Sequence, residues 1–372
     1  MKIGIITFHA SFNYGSMLQA YALHKVLSDM GHDVEIINFR SAEQKEMYHH
    51  PIKLSSSEWS KVHMLMHYLL HCKEYLTQVR KWNKYNAFLK KYLVHTKEFH
   101  TVDELRQYDF FYDYLVIGSD QIWNTRCRDF SEAFWCNFCS EKIKKVAYAP
   151  SMGRNPESLD TDYIRRSLKH FYAVSVRESR TKNVLINKDI FKEISLTLDP
   201  TFLLQPSDYS GFIGDRPLVK GKYIYFYDPF VRPQFLKIAL LIGRDKGLRV
   251  VVDRTYPESA YKGFDNVIFH TAVGPKEFLN LVKYSRLVVA HSLHAVIFSI
   301  IFKRDFYALD GDSDSRMQHI LNVLSLEKRA VNVEDHILHE RITIDYWDSV
   351  YEKYAALKKV SLDFIQNSID AN

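Results

Sequence analysis

The stretch Ser285-Arg-Leu-Val-Val-Ala-His-Ser-Leu-His-Ala-Val-Ile-Phe-Ser-Ile300 decides the fold class. Leu287 to Ala290 is an apolar run of strand length. His291 and Ser292 make a polar turn, and Leu293 to Phe302 is an apolar segment of helical length. A strand that passes at once into a helix is the repeating unit of an α/β protein with a parallel sheet. Its turn falls at the carboxyl edge of the sheet, where open α/β sheets bind ligands. His294 lies in or just after that turn, and an imidazole there can hold or move a proton near neutral pH.

The same rhythm runs through both halves of the chain. Lys2 to Phe8 reads as a strand. The turn His9-Ala-Ser-Phe-Asn-Tyr-Gly-Ser16 follows, then a helix of period 3.6 from Met17 and a second strand at Val34 to Phe39. Further strands are expected at Tyr114–Ile117, Lys145–Ala149, Ala173–Val176 and Ser195–Leu198. Residues 205–221 read as a linker, without a clear period. Beyond it, strands are expected at Tyr223–Tyr227, Arg249–Val252, Asn266–Phe269, Leu287–Ala290 and Phe306–Leu309. Residues 43–108 break the rhythm and read as helical, with helices expected at Trp59–Leu76 and Val79–Tyr92. The expected architecture is two doubly wound α/β domains. The first covers residues 1–205, carries a helical insertion at about 43–108 and is completed by a C-terminal helix within 346–372. The second covers 206–345.

Composition excludes several classes. With 47% apolar and 25% charged residues, the 372-residue chain is globular and long enough for two cores. No run reaches the roughly 18 apolar residues of a membrane span. Met1-Lys2-Ile3-Gly4-Ile5 enters a strand directly, with no signal peptide, so a cytoplasmic protein is expected. Any membrane contact would be peripheral, at the surface, through a membrane-bound substrate. The net charge of +6 comes without a Lys/Arg block, and no nucleic-acid partner is expected. Cys136 and Cys139 form a Cys-x-x-Cys without a second pair, so they read as reduced thiols rather than zinc ligands.

Asn13, Ser16, Ser119, Asp120, Gln121, Arg177, Asp228 and His294 all fall at carboxyl ends of expected strands. Such a series across both halves points to a cleft between two sheets. The Asn13–Ser16 turn opens a helix, whose free N–H groups can cradle an anion, but it matches no nucleotide-binding loop. Ser119 or Asp120 reads equally well as a helix N-cap. Arg177 either pairs with its neighbour Glu178 or clamps a carboxylate or phosphate. His291 and His294 lie three apart with no carboxylate nearby in sequence, and no metal is expected.

Taken together, these residues resemble the polysaccharide pyruvyl transferase family. The resemblance rests on Ile3-Gly-Ile-Ile-Thr-Phe-His9 with Asn13-Tyr-Gly-Ser16 and Leu18-Gln-Ala-Tyr-Ala-Leu23. It continues through Tyr114-Leu-Val-Ile-Gly-Ser-Asp-Gln-Ile-Trp-Asn124, Ser175-Val-Arg-Glu178, Leu198-Asp-Pro-Thr201, Ser292-Leu-His-Ala295 and Ser315-Arg316. It implies two Rossmann-like domains facing across a cleft, similar to GT-B glycosyltransferases. It also implies transfer of the pyruvyl group of phosphoenolpyruvate to two hydroxyls of a sugar or lipid-linked oligosaccharide, with no further cofactor. By motif position His294 resembles the family's catalytic histidine and Arg177 its donor-binding arginine. Substrate contacts are implied for Asn13, Tyr14, Gly15, Ser16 and Gln19. They are implied also for Gly118, Ser119, Asp120, Gln121 and Asn124. Many members carry arginine where this chain has Ser292, and Arg316 is the expected substitute. The alternatives are a nucleotide-sugar glycosyltransferase of the same frame and a non-catalytic sugar- or phosphate-binding subunit.

Overall fold

A computed structural model describes residues 1–52, 61–153, 156–158, 160–332 and 343–369. The start of the helix expected at Trp59 and the last residues of the expected C-terminal helix lie outside the described residues.

The first sheet contains β1 (Lys2–Ile6), β2 (Asp33–Ile36), β3 (Tyr114–Ile117), β4 (Lys144–Ala147), β5 (Phe171–Val176) and β6 (Ile194–Leu196). The second contains β7 (Tyr223–Tyr227), β8 (Arg249–Val252), β9 (Val267–Phe269), β10 (Leu287–Ala290), β11 (Asp305–Leu309) and β12 (Ala330–Val331). Every pairing is parallel. Central strands such as β3, β7, β10 and β11 are buried at every residue, as expected for sheets covered by helices on both faces.

The strand orders are β2-β1-β3-β4-β5-β6 and β12-β11-β10-β7-β8-β9. Each order reverses once, between β1 and β3 in the first sheet and between β7 and β10 in the second. At such a switch the connecting helices leave to opposite faces, and a crevice opens past the strand ends. The helix Tyr14–Asp29 follows β1, and the helix Leu293–Ile301 follows β10. The second helix is buried at all nine residues, because it packs against the helix Tyr14–Asp29 as well as its own sheet. One apolar core therefore runs through both halves, including Ile5, Leu18, Val288 and Ile297. The helix Trp347–Ile369 returns to the first half, where Ser361 Oγ accepts the Leu198 N–H at 2.9 Å.

Two sequence expectations need correction. The linker expected at 205–221 contains a helix, Pro206–Ile213. Pro206 suits its first turn, and the Asp208 carboxylate accepts the Gln205 N–H at 2.6 Å. Tyr209, Phe212 and Ile213 make its buried face, a short helical pattern hidden among polar residues. No helix starts at Ser119 or Asp120, so neither is an N-cap; Asp120 has φ +72° and lies in the tight turn after β3. In the insertion, the described helices are Lys61–Leu70 and Cys72–Tyr92.

Candidate active site

The two switch points meet across a cleft of about 760 Å³. Asn13, Ser16, Asp120, Gln121 and Asn124 line it from the first half, and Ser292, His294 and Arg316 line it from the second. A larger hollow of about 1250 Å³ lies beside β5 and the C-terminal helix. It contains no histidine and sits away from both switch points, so the smaller cleft is the candidate site.

The wall from the first half begins at Asn13. Its backbone is extended, and its Oδ1 accepts the Gly15 N–H at 2.9 Å, which caps the helix. Gly15 is required by its neighbour: a Cβ there would come within 2.0 Å of His294 Nδ1. The imidazole from the second half thus rests directly on the helix start of the first. Gly118 has φ +126°, and a Cβ there would lie 2.1 Å from the Tyr148 carbonyl oxygen. Only glycine lets β3 turn so tightly toward Asp120.

Behind His294 lies a buried charged network. His294 Nε2 is 3.3 Å from Asp199 Oδ2, an ion-pair contact without hydrogen-bond alignment. Arg177 donates to Asp199 at 2.8 Å and to Asp120 at 3.2 Å, and its Nε is 3.8 Å from Glu178. Ser16 Oγ donates to Asp120 at 2.7 Å. Burial by itself would raise the Asp199 carboxyl, but the charges of His294 and Arg177 overcome it and hold the group well below the usual carboxylate range. Asp120 is likewise lowered, chiefly by Arg177 against the opposing effect of burial. Glu178 goes the other way: burial raises its carboxyl, against the pull of Arg177.

The cleft itself carries arginines from both halves: Arg126, Arg128, Arg232 and Arg316. Asp314 caps the helix Ser315–Val323 and grips Arg316 through bonds of 2.9 and 2.6 Å. Asp228 holds Arg232 in the same way, at 3.0 and 2.9 Å. Two-point contacts of this kind fix the guanidinium planes while leaving N–H groups for a ligand. Cys127 also lines the cleft, but burial and then Asp120 push its thiol up to about 12. It is a poor nucleophile at neutral pH.

The structure separates the residues marked by the sequence into two sets. Asn13, Ser16, Asp120, Gln121, Asn124, Ser292, His294 and Arg316 line the cleft. Tyr14, Gly15, Gln19, Gly118, Ser119 and Arg177 are buried or packed behind it. Tyr14 donates to Asp253 at 2.8 Å. The Gln19 amide bridges Thr7, Ser16 and the Ser119 N–H. Arg177 meets carboxylates rather than the cleft, and Glu178 is the most distant of the three. Asp199 is the carboxylate against His294 that strand-by-strand reading passed over. It stood in Leu198-Asp-Pro-Thr201, three residues past β6, but its meeting with His294 spans two domains. Among the described residues no group of three or more His, Cys, Asp or Glu side chains could hold a metal ion.

Two Rossmann-like domains with a histidine and arginines in the cleft between them define a GT-B-like protein. The sequence profile of polysaccharide pyruvyl transferases matches residues 13–313, and the chain belongs to that family. No curated protein matches the chain in sequence. Among solved structures, UDP-GlcNAc 2-epimerase from Neisseria meningitidis bound to UDP-GlcNAc is similar, with a TM-score of 0.52 at 12% identity over 100% of each chain. A putative UDP-N-acetylglucosamine 2-epimerase from Listeria monocytogenes has a TM-score of 0.50 at 9% identity, over 100% of this chain and 96% of that one. At these identities the likeness is one of fold.

Proposed function

We propose that the chain transfers the pyruvyl group of phosphoenolpyruvate onto two hydroxyls of one sugar residue, forming a pyruvate ketal during polysaccharide synthesis. The observation that supports this best is His294, seated on Gly15 in the cleft with Asp199 behind it. The reaction needs one group that gives a proton and takes one back. An imidazole beside a carboxylate does both.

In the proposed sequence, protonated His294 delivers its proton to the methylene carbon of phosphoenolpyruvate. C2 becomes an oxocarbenium-like centre, which the first hydroxyl attacks while its proton passes to the now neutral imidazole. The second hydroxyl then forms the second C–O bond at C2 as the bond to phosphate oxygen breaks. Its proton leaves with the phosphate, so protons balance over the whole reaction. Arg316, Arg232 and Arg128, with the helix start at Asn13–Ser16, lie around the cleft where carboxylate and phosphate need cationic support. Arg177 holds Asp120 and Asp199 in place from behind.

The test is phosphate release from phosphoenolpyruvate in the presence of a panel of aryl or lipid-linked sugars. Release that depends on the acceptor, with the ketal found in the product by mass spectrometry, is the expected result. Turnover of a nucleotide sugar on the same acceptors, with phosphoenolpyruvate inert, would overturn it.

A further inference from the structure

The helical hairpin formed by Lys61–Leu70 and Cys72–Tyr92 concentrates two properties found together nowhere in the cleft. The first is charge. Residues 61–92 hold seven Lys or Arg, including the adjacent pairs Arg80-Lys81 and Lys90-Lys91, against Glu74 alone, a net +6. The whole chain also carries +6, so the remainder of the sequence is balanced.

The second property is apolar exposure at the far end. Met66, Leu69 and Leu70 are 57%, 66% and 79% exposed, and Leu76 on the second helix is 54% exposed. Met66, Leu69 and Leu70 stand at i, i+3 and i+4, on one face of the first helix. Leu76 is flanked one turn away on each side by Lys73 and Arg80, both exposed. Leucines at the tip with cations beside them match the chemistry of an anionic bilayer surface.

The base of the hairpin is built differently. Tyr85 and Phe88 are buried. Tyr85 stacks on Phe12 and Tyr14 with ring centres 4.9 and 5.7 Å apart, and Trp82 Nε1 donates to the Tyr48 carbonyl oxygen at 3.2 Å. Lys84 pairs with Glu277 of the second half at 2.9 Å. The base is thus fixed to both halves beside Tyr48, which lines the cleft. A rigid base next to the cleft and an apolar tip away from it would hold the cleft at a set distance from a surface.

We infer that this hairpin docks the protein on an anionic lipid bilayer, with Met66, Leu69, Leu70 and Leu76 entering the interface and Lys73 and Arg80 meeting lipid headgroups. The inference does not depend on the reaction assigned to the cleft.

The test is flotation of the full chain with vesicles of phosphatidylcholine alone and of an equimolar phosphatidylcholine–phosphatidylglycerol mixture. Binding to the mixed vesicles is expected to be about tenfold tighter or more, and to weaken with salt. The variants Leu69→Ser/Leu70→Ser and Lys73→Glu/Arg80→Glu should each lose about tenfold in binding to them. Their thermal unfolding midpoints should stay at the parent's, since the side chains are exposed. Three results would overturn the inference: no binding of the parent to mixed vesicles, equal binding of both vesicle types, or unchanged binding by both variants. A parent that is dimeric in solution, with monomeric variants and no vesicle binding, would assign the face to a second copy of the chain instead.

Discussion

His9 and His294 each follow a strand that borders a switch point, one in each sheet, yet they have opposite characters. His9 Nε2 lies 2.9 Å from the Asn38 side chain and its Nδ1 is 3.2 Å from the Thr7 carbonyl oxygen. Burial lowers its pKa to about 4, so it is neutral at physiological pH. His294 faces a carboxylate and lines the cleft. A strand-end position therefore does not make a histidine chemical. Of the two, His294 is the one with a buried carboxylate behind it and an open face before it.

Substitution at each position breaks the comparison. His294→Ala should lower the phosphate-release rate about 1,000-fold with the fold intact by circular dichroism, the usual loss for a general acid–base. His9→Asn should keep most of the rate. Equal losses would remove the distinction.

The second effect is the pH dependence that His9 imposes on stability. The unfolded chain protonates His9 through about 6.5, whereas the folded chain keeps it neutral down to about 4. The folded pKa is depressed, so this contribution is fully present above 6.5 and is lost as pH falls toward 4. The loss should reach about 3 kcal/mol by pH 4. The lowered Asp120 and Asp199 add their own losses below about pH 4, where unfolded carboxylates protonate. Urea melts from pH 7 to 4 measure the first window, and a parent-like slope in His9→Asn would count against the assignment.

The contact of His294 with the other half can be sharpened next. Gly15→Ala places a methyl group where the ring now sits. It should cost roughly 100-fold in rate, through displacement of His294 rather than loss of substrate affinity. A raised KM with unchanged kcat would contradict that. The smallest effect is expected at Arg316→Ala, with a KM for phosphoenolpyruvate raised about tenfold or more and kcat little changed.

Particular residues show what could be read in advance. The parallel sheets were legible because β1, β3, β7 and β10 are short apolar runs ending in polar turns. That the Asn13–Ser16 turn opens a helix was legible because a helix start is local: it involves only the next few N–H groups. Pro206–Ile213 was missed because its three buried positions stand among turn formers, and residues distant in sequence, such as Tyr21, Phe88, Tyr92, Phe298 and Phe302, make them a core face. Asp199 was missed as a site residue for a similar reason. Its sequence neighbours make a 3-10 turn, while its chemistry comes from Arg177 and His294, 22 and 95 positions away.

The sequence by itself determined the strand–helix rhythm, the two parallel sheets and the strand ends where polar residues collect. Periodicity and turn chemistry are properties of neighbours along the chain. Tertiary structure alone decided that His294 rests on Gly15, that Arg177 is spent on Asp120 and Asp199, and that the base of the hairpin packs on Phe12 and Tyr14 beside the cleft. Those facts depend on distances between elements far apart in the chain, which no local preference encodes.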